Sequence, residues 1–226
     1  TFFAPVKTIQ KAVDKVIDMN VVTNSSEGKP YKILLLSDIY TPSNNSFGSN
    51  KALVNIDPSS GNPLYLTISN YGVENATINA NRTDSNTGRV MYIGENANVT
   101  LQNLILTGGY LEDTKGAGVY VEDGTFTMND GAVISSDNDV YLANGTTITV
   151  TGNLTSTDTV ATITPEKYEL GIQVLKAESG VTLKAYPGNF AVTTHVPSDE
   201  SEIWFIDSAG YLVGGSVTAP KISGSG

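Results

Sequence analysis

The sequence predicts an all-β chain whose middle winds as a short right-handed parallel β-helix, with an N-terminal amphipathic helix cap and a C-terminal β cap. Three observations predict it. Short apolar runs broken by Gly, Asn, Asp and Pro fill the chain from Lys32 onward. Three of those runs repeat one pattern: apolar-Tyr-apolar, a polar turn, then apolar-Thr-apolar. The first residues, by contrast, carry apolar side chains three and four positions apart.

That first segment reads as a helix. Val6, Ile9, Val13, Val16 and Ile17 form its apolar face, with Pro5 suited to a first-turn position and Lys7, Lys11, Asp14, Lys15 and Asp18 on the other side. A short amphipathic helix ahead of a strand-rich chain needs an apolar surface to lie on. The open end of a β-helix is such a surface, and covering it also protects an edge that could pair with another chain.

Strand runs are expected at 33–39, 52–56, 64–69, 76–79, 90–93, 99–107, 119–121, 125–128, 140–142 and 147–150. Their spacing suits a sandwich, a barrel or a solenoid, and internal repetition decides among them. Met91-Tyr92-Ile93 leads through 94–98 to Val99-Thr100-Leu101. Val119-Tyr120-Val121 leads to Phe126-Thr127-Met128, and Val140-Tyr141-Leu142 leads to Ile148-Thr149-Val150. The tyrosines lie 28 and 21 residues apart, close to the roughly 20–45-residue unit of a solenoid.

Period-2 alternation assigns the faces. Met91, Val119 and Val140 stack inside, as do Ile93, Val121 and Leu142; a second interior column holds Val99, Phe126 and Ile148 beside Leu101, Met128 and Val150. Outward go a Tyr92–Tyr120–Tyr141 ladder and a Thr100–Thr127–Thr149 ladder, like residues stacking at about the 4.8 Å strand spacing. The stretch around 108–118 reads as a projecting loop.

Beyond Leu154 the repeat stops, and the β-like runs at 161–165, 171–175, 190–192, 203–206 and 211–213 are irregular. The expected organisation is therefore a β-helix with its helical cap over 1–160, a β cap over 161–213 anchored by Trp204, and a flexible Gly/Ser tail or linker over 214–226.

Gly116-Ala117-Gly118-Val119-Tyr120-Val121, followed by Gly124-Thr125-Phe126-Thr127-Met128 and Gly131-Ala132-Val133-Ile134-Ser135, resembles the repeat of bacterial surface β-helix proteins of the pectate-lyase-like and polymorphic-outer-membrane-protein type. The run Val99-Thr100-Leu101-Gln102-Asn103-Leu104-Ile105-Leu106-Thr107-Gly108-Gly109 resembles a common rung of such proteins. The likeness covers roughly 89–155 and lacks the paired GGAI and FxxN tetrapeptides of the polymorphic family. It implies a β-helix at the cell surface and no particular activity.

Chemistry is sparse. With 13 Lys and Arg against 23 Asp and Glu the formal net charge is −10, which disfavours nucleic acid as a partner. The absence of cysteine excludes disulfides, thiolate metal sites and a Cys nucleophile. No run reaches the roughly 18 apolar residues that span a membrane, and Thr1-Phe2-Phe3-Ala4-Pro5 does not read as a signal peptide, so an exported form is expected to be the mature or trimmed chain. His195, the only histidine, lies in Thr194-His195-Val196-Pro197 with no GxSxG elbow to complete a triad. Asp84-Ser85-Asn86-Thr87-Gly88 opens like a calcium loop but has Tyr92 and Ile93 where the distal Glu belongs. Asp137-Asn138-Asp139 offers oxygens of the kind polar turns also carry.

Parallel β-helix enzymes act on acidic polysaccharides with clustered carboxylates and a basic residue; Asp130, Asp137, Asp139, Arg82 and Arg89 are the candidates here, without any Asn-Thr-Asp, Asp-Asp or Gly-His-Gly cluster. Threonine columns also resemble those of ice-binding proteins, which need a longer regular array than three rungs. The expectation is a non-catalytic, extracellular or cell-surface module for adhesion, interaction or structural display, part of a larger surface protein. It would need no cofactor or metal and would contact a glycan or a host or neighbouring surface protein through Tyr92, Tyr120, Tyr141, Thr100, Thr127 and Thr149. A polysaccharide-active lyase or hydrolase is the alternative.

Overall fold

A computed structural model describes residues 5–42, 49–58, 61–72, 74–112, 115–143, 145–152, 154, 158–183, 188–196 and 202–216. Among the described residues the regular structure is mostly strand, with one α-helix, and the three larger sheets are parallel.

Helix α1 (Ile9–Asn20) starts later than its periodicity suggests. Thr8 is the N-cap, its hydroxyl accepting from the Lys11 N–H at 3.2 Å, so Pro5 and Val6 precede the helix. Val6 is consequently exposed, while Ile9, Val13 and Val16 are buried.

The first sheet aligns β1 (Tyr31–Leu35), β4 (Leu64–Asn70), β7 (Ala97–Gln102), β10 (Thr125–Asn129), β13 (Ile148–Thr151) and β15 (Leu175–Ala177) in that order. The second aligns β2 (Ile39–Tyr40), β5 (Ala76–Asn79), β8 (Leu104–Thr107) and β11 (Val133–Ile134). The third aligns β3 (Ala52–Ile56), β6 (Arg89–Ile93), β9 (Val119–Val121), β12 (Asp139–Leu142), β14 (Ala161–Pro165) and β16 (Phe190–Val192). From β1 to β12 the chain visits the three sheets in strict rotation, and from β13 to β16 it alternates between the first and third.

Two runs that alternation alone treats as single strands are each split by a corner: 33–39 becomes β1 and β2, and 99–107 becomes β7 and β8. Asn103 makes the second corner at φ 53°, and Asp130 and Gly152 occupy the same place after β10 and β13 at φ 49° and 65°. Left-handed backbone is open to Asn, Asp and Gly and costly for other residues, so these three types mark the corners after β7, β10 and β13.

The register carries the interior columns. Val54, Met91, Val119, Val140 and Ile163 align in the third sheet, and Leu66, Val99, Phe126, Ile148 and Leu175 in the first. All ten belong to one buried cluster. The columns thus begin before the first recognised repeat and continue past the last.

Both ends of the stack are closed. From α1, the Gln10 side-chain amide donates to the Asn55 carbonyl at 3.0 Å and accepts from the Asn55 N–H at 2.7 Å, standing in for a neighbouring strand on the edge of β3. Asn20, 1% exposed, donates to the carbonyls of Asn62 and Pro63. At the far end an antiparallel hairpin of β17 (Glu202–Ile206) and β18 (Leu212–Ser216) brings Trp204, Ile206 and Leu212 into the core cluster. Its turn supplies the Gly210 carbonyl to the N–H groups of Val174 and Leu175 at 2.9 and 3.1 Å. Only glycine fits that contact, since Gly210 has φ 89° and a Cβ there would lie 2.1 Å from the Leu175 carbonyl oxygen.

Within 161–216 two kinds of pairing occur among the described residues. Strands β14, β15 and β16 extend the parallel sheets, because their in-register apolar residues continue the interior columns, and the antiparallel hairpin alone lies outside those sheets. Residues 214–216 of the expected tail are in β18, and 217–226 lie outside the described residues.

Candidate binding site

Both outward ladders assemble. Tyr92, Tyr120 and Tyr141 pair in register, with ring centroids 5.6 and 4.9 Å apart in stacked geometry. Thr100, Thr127 and Thr149 also pair in register, and Thr67 adds a fourth rung between the terminal Lys32 and Lys176. The threonines are half-buried by their neighbours.

The tyrosine ladder differs from the expected open platform. Tyr92 and Tyr141 are each 7% exposed, although they sit outside the interior cluster. The Arg89 guanidinium lies over the Tyr120 ring at 4.5 Å, and the Lys115 ammonium lies 5.7 Å from the Tyr141 centroid. The Tyr92 hydroxyl donates to Glu122. Burial raises the pKa of all three phenols above the ordinary value of 10.0. Alternation assigned the correct face, but it could not report a cover that comes from other segments.

Lys115 comes from the projecting loop between β8 and β9 and Arg89 from β6 itself, and two neighbouring residues on the next rung pin the base of that loop. The Asn138 amide accepts from the Gly109 N–H at 3.1 Å and donates to the Gly109 carbonyl at 2.8 Å. The Asp139 carboxylate accepts from the N–H groups of Gly116 and Ala117 at 3.0 and 2.8 Å, and from the Thr164 hydroxyl at 2.6 Å. Both side chains are buried, at 3% and 8% exposure. Arg89 adds a third tie, donating from Nη1 to the Lys115 and Gly116 carbonyls at 3.4 Å, while its Nε donates to the Asn50 carbonyl at 3.1 Å. Asp137-Asn138-Asp139, read in the sequence as loose turn oxygens, is thus largely a clamp.

Two hollows flank this loop on the outer face of the third sheet. One, of about 660 Å³, has Lys51, Arg89 and Lys115 in its lining together with Asp84, Glu112 and Tyr120. The other, of about 520 Å³, has Asp137, Asp139, Glu166, Tyr168 and His195. Leu111 and Lys115 line both, so the loop forms the shared border of a two-part trough. Each is of the size of small-ligand pockets, about 300–1,000 Å³.

His195 lies at the lip of the second hollow. Its ring stacks on Tyr168 with centroids 4.2 Å apart and planes 5° from parallel, and its Nδ1 is 2.9 Å from Glu202 Oε2. The same carboxylate oxygen accepts from the Trp204 indole at 3.0 Å. The Tyr168 hydroxyl meets Thr193, whose hydroxyl donates to Thr164 at 3.1 Å, and Thr164 in turn donates to Asp139. The His195–Tyr168 ring stack and this chain of hydroxyls together link the hairpin to the loop clamp. Glu166, Tyr168, Thr164 and Thr193 carried no sequence signal, because they fall where the repeat has lapsed.

The hydrogen bonds from His195 and then Trp204 hold the Glu202 carboxyl below its ordinary value of 4.5. A depressed carboxyl contributes stability that is complete above the unfolded-state pKa and is lost as pH falls through the lower folded value. The expected result is that Glu202→Gln has a lower melting temperature than wild type at neutral pH, and that the gap closes on acidification below about 4.5. A melting series against pH checks it; a gap independent of pH would separate the effect from the charge of Glu202.

Among the described residues no group of three or more His, Asp and Glu is placed to hold a metal ion. Asp84 instead accepts from the Ser85 N–H at 2.7 Å within a turn closed by Thr83 and Asn86. No helix of the described residues is long and apolar enough to cross a membrane. No protein-family model, no curated protein and no solved structure matches the chain.

Proposed function

We propose that the chain is a non-catalytic cell-surface or secreted binding module, built on a short right-handed parallel β-helix and belonging to a larger surface protein. The rotation of successive strands through three parallel sheets, in register and closed at both ends, supports that architecture. The resemblance of the repeat to bacterial surface proteins supports the location.

One observation carries the binding role: a trough of two adjoining hollows whose loop is pinned at both ends by Asn138 and Asp139. A site held open by buried hydrogen bonds loses little entropy when a ligand enters. Extracellular glycans suit it, since its lining mixes aromatic rings with hydroxyl, carboxylate and ammonium groups. The non-catalytic reading is supported by how the titratable groups are engaged, Asp139 with two backbone N–H groups and Glu202 with an imidazole and an indole.

A polysaccharide-active enzyme is the second reading, favoured by Asp137, Glu166, Tyr168 and His195 lining one hollow. The deciding experiment applies the chain to an array of polysaccharides and matrix proteins, with mass spectrometry of every retained ligand. Saturable retention of intact ligand is the expected result. Cleavage would replace the module with the enzyme, and silence on every spot would leave structural display as the role.

A further inference from the structure

The two hollows of the trough have opposite electrical character, and this contrast constrains what can lie across them. In the first, Lys51, Arg89 and Lys115 outnumber Asp84 and Glu112. Such an excess of cations stands out in a chain with 13 basic and 23 acidic residues. Arg89 is also held in place: Nε is tied to the Asn50 carbonyl, Nη1 lies 3.4 Å from the carbonyls of Lys115 and Gly116, and the guanidinium rests over Tyr120. A planar guanidinium fixed in this way is preorganised to meet a carboxylate. In the second hollow Asp137, Asp139 and Glu166 outnumber Lys115, and the neighbouring His195 is engaged with Glu202. Carboxylates and hydroxyls there can accept and donate to sugar hydroxyls, whereas a second anion would meet like charge.

Resting on the glycan-binding reading, we infer that the trough takes an acidic oligosaccharide in which a charged sugar is followed by an uncharged one. The sugar acid occupies the hollow of Lys51, Arg89 and Tyr120. The neutral sugar occupies the hollow of Asp137, Glu166 and Tyr168, and Lys115 stands between them. A polymer charged at every residue is disfavoured by the second hollow, and a wholly neutral one leaves the cations of the first unmet.

Titration calorimetry with short oligosaccharides of hyaluronan and unsulfated chondroitin, both alternating uronate and neutral sugars, tests this against polygalacturonate and chitin oligosaccharides. At least one alternating probe is expected to bind about tenfold or more tighter than both comparison probes, with affinity falling as salt rises. Lys51→Ala, at an exposed position, is expected to weaken the alternating probe and leave chitin unchanged. Arg89 is unsuitable as the sole variant because it also ties down the loop. The paired change Asp137→Asn with Glu166→Gln is a gain-of-function test that misfolding cannot imitate: polygalacturonate should rise toward the alternating probe. Equal binding of polygalacturonate by the unmodified chain, no preference over chitin, or no response to the paired change would each overturn the inference. If neither alternating probe binds while other glycans are retained on the array, the charge pattern is wrong and the module reading stands. Silence toward all glycans removes both this inference and the glycan-binding reading on which it rests.

Discussion

Replacing Phe126 by alanine is expected to lower stability by about 3–5 kcal/mol, the range for truncating a large buried aromatic residue. Phe126 is fully buried, in the middle of the first sheet, between Val99 on one rung and Ile148 on the next. Neighbouring strands sit at a spacing set by backbone hydrogen bonds, so the column cannot close over the gap by sliding together. Against a total of about 5–15 kcal/mol for a domain, the loss takes a large share. Denaturant unfolding should show the midpoint falling with the slope unchanged. Thr127→Ala, one residue along and half-buried on the outward face, is the control, expected to cost no more than about 1 kcal/mol. Comparable losses at the two positions would contradict the assignment of faces.

Asp139→Ala is expected to have the second-largest effect, and to act on the trough as well as on stability. The carboxylate satisfies two backbone N–H groups and one hydroxyl in a buried setting. Removing it leaves these donors to find water or go unmet, at about 1–3 kcal/mol for a group that stays unmet. A total loss of about 2–4 kcal/mol follows, because water reaches part of the site. The loop base at Gly116 and Ala117 is then held only by its remaining bonds, so Lys115 loses the register that places it over Tyr141 and Arg89 loses its fixed partner at Gly116. The checks are thermal unfolding, hydrogen exchange at the loop, and retention on any glycan bound by the unmodified chain. Exchange should rise at Gly116 and Ala117 more than in β7 or β10. Uniform exchange across the sheets would show a global effect instead of a local release.

The legible part of the fold is the part that repeats. Phe126 could be placed between Val99 and Ile148, and Tyr120 between Tyr92 and Tyr141, because each rung restates the same alternation and like residues then align. The rungs before Met91 and after Val150 share that geometry, yet apart from Thr67 their outward residues differ: Asn55 and Thr164 stand in line with the tyrosines, and Lys32 and Lys176 in line with the threonines. Identity of the outward residue was the visible signal, while burial of the inward one is what the stack requires. Ala161 and Leu175 therefore joined the sheets without looking like members of the repeat.

What the sequence determined by itself is the strand alternation, the interior columns of the middle rungs, the two ladders and the amphipathic face of α1. Each depends on residues near one another in the chain, or on a pattern restated at each rung. What only the tertiary structure decided is the trough: that Arg89 and Lys115 cover the tyrosines, that Asn138 and Asp139 hold the loop, and that Tyr168 and His195 come to the same face. Those contacts join segments of different length and no common period, so local propensity carries no record of them. They follow from long-range docking, in which a buried carboxylate or amide takes whichever unpaired N–H groups the neighbouring rung presents.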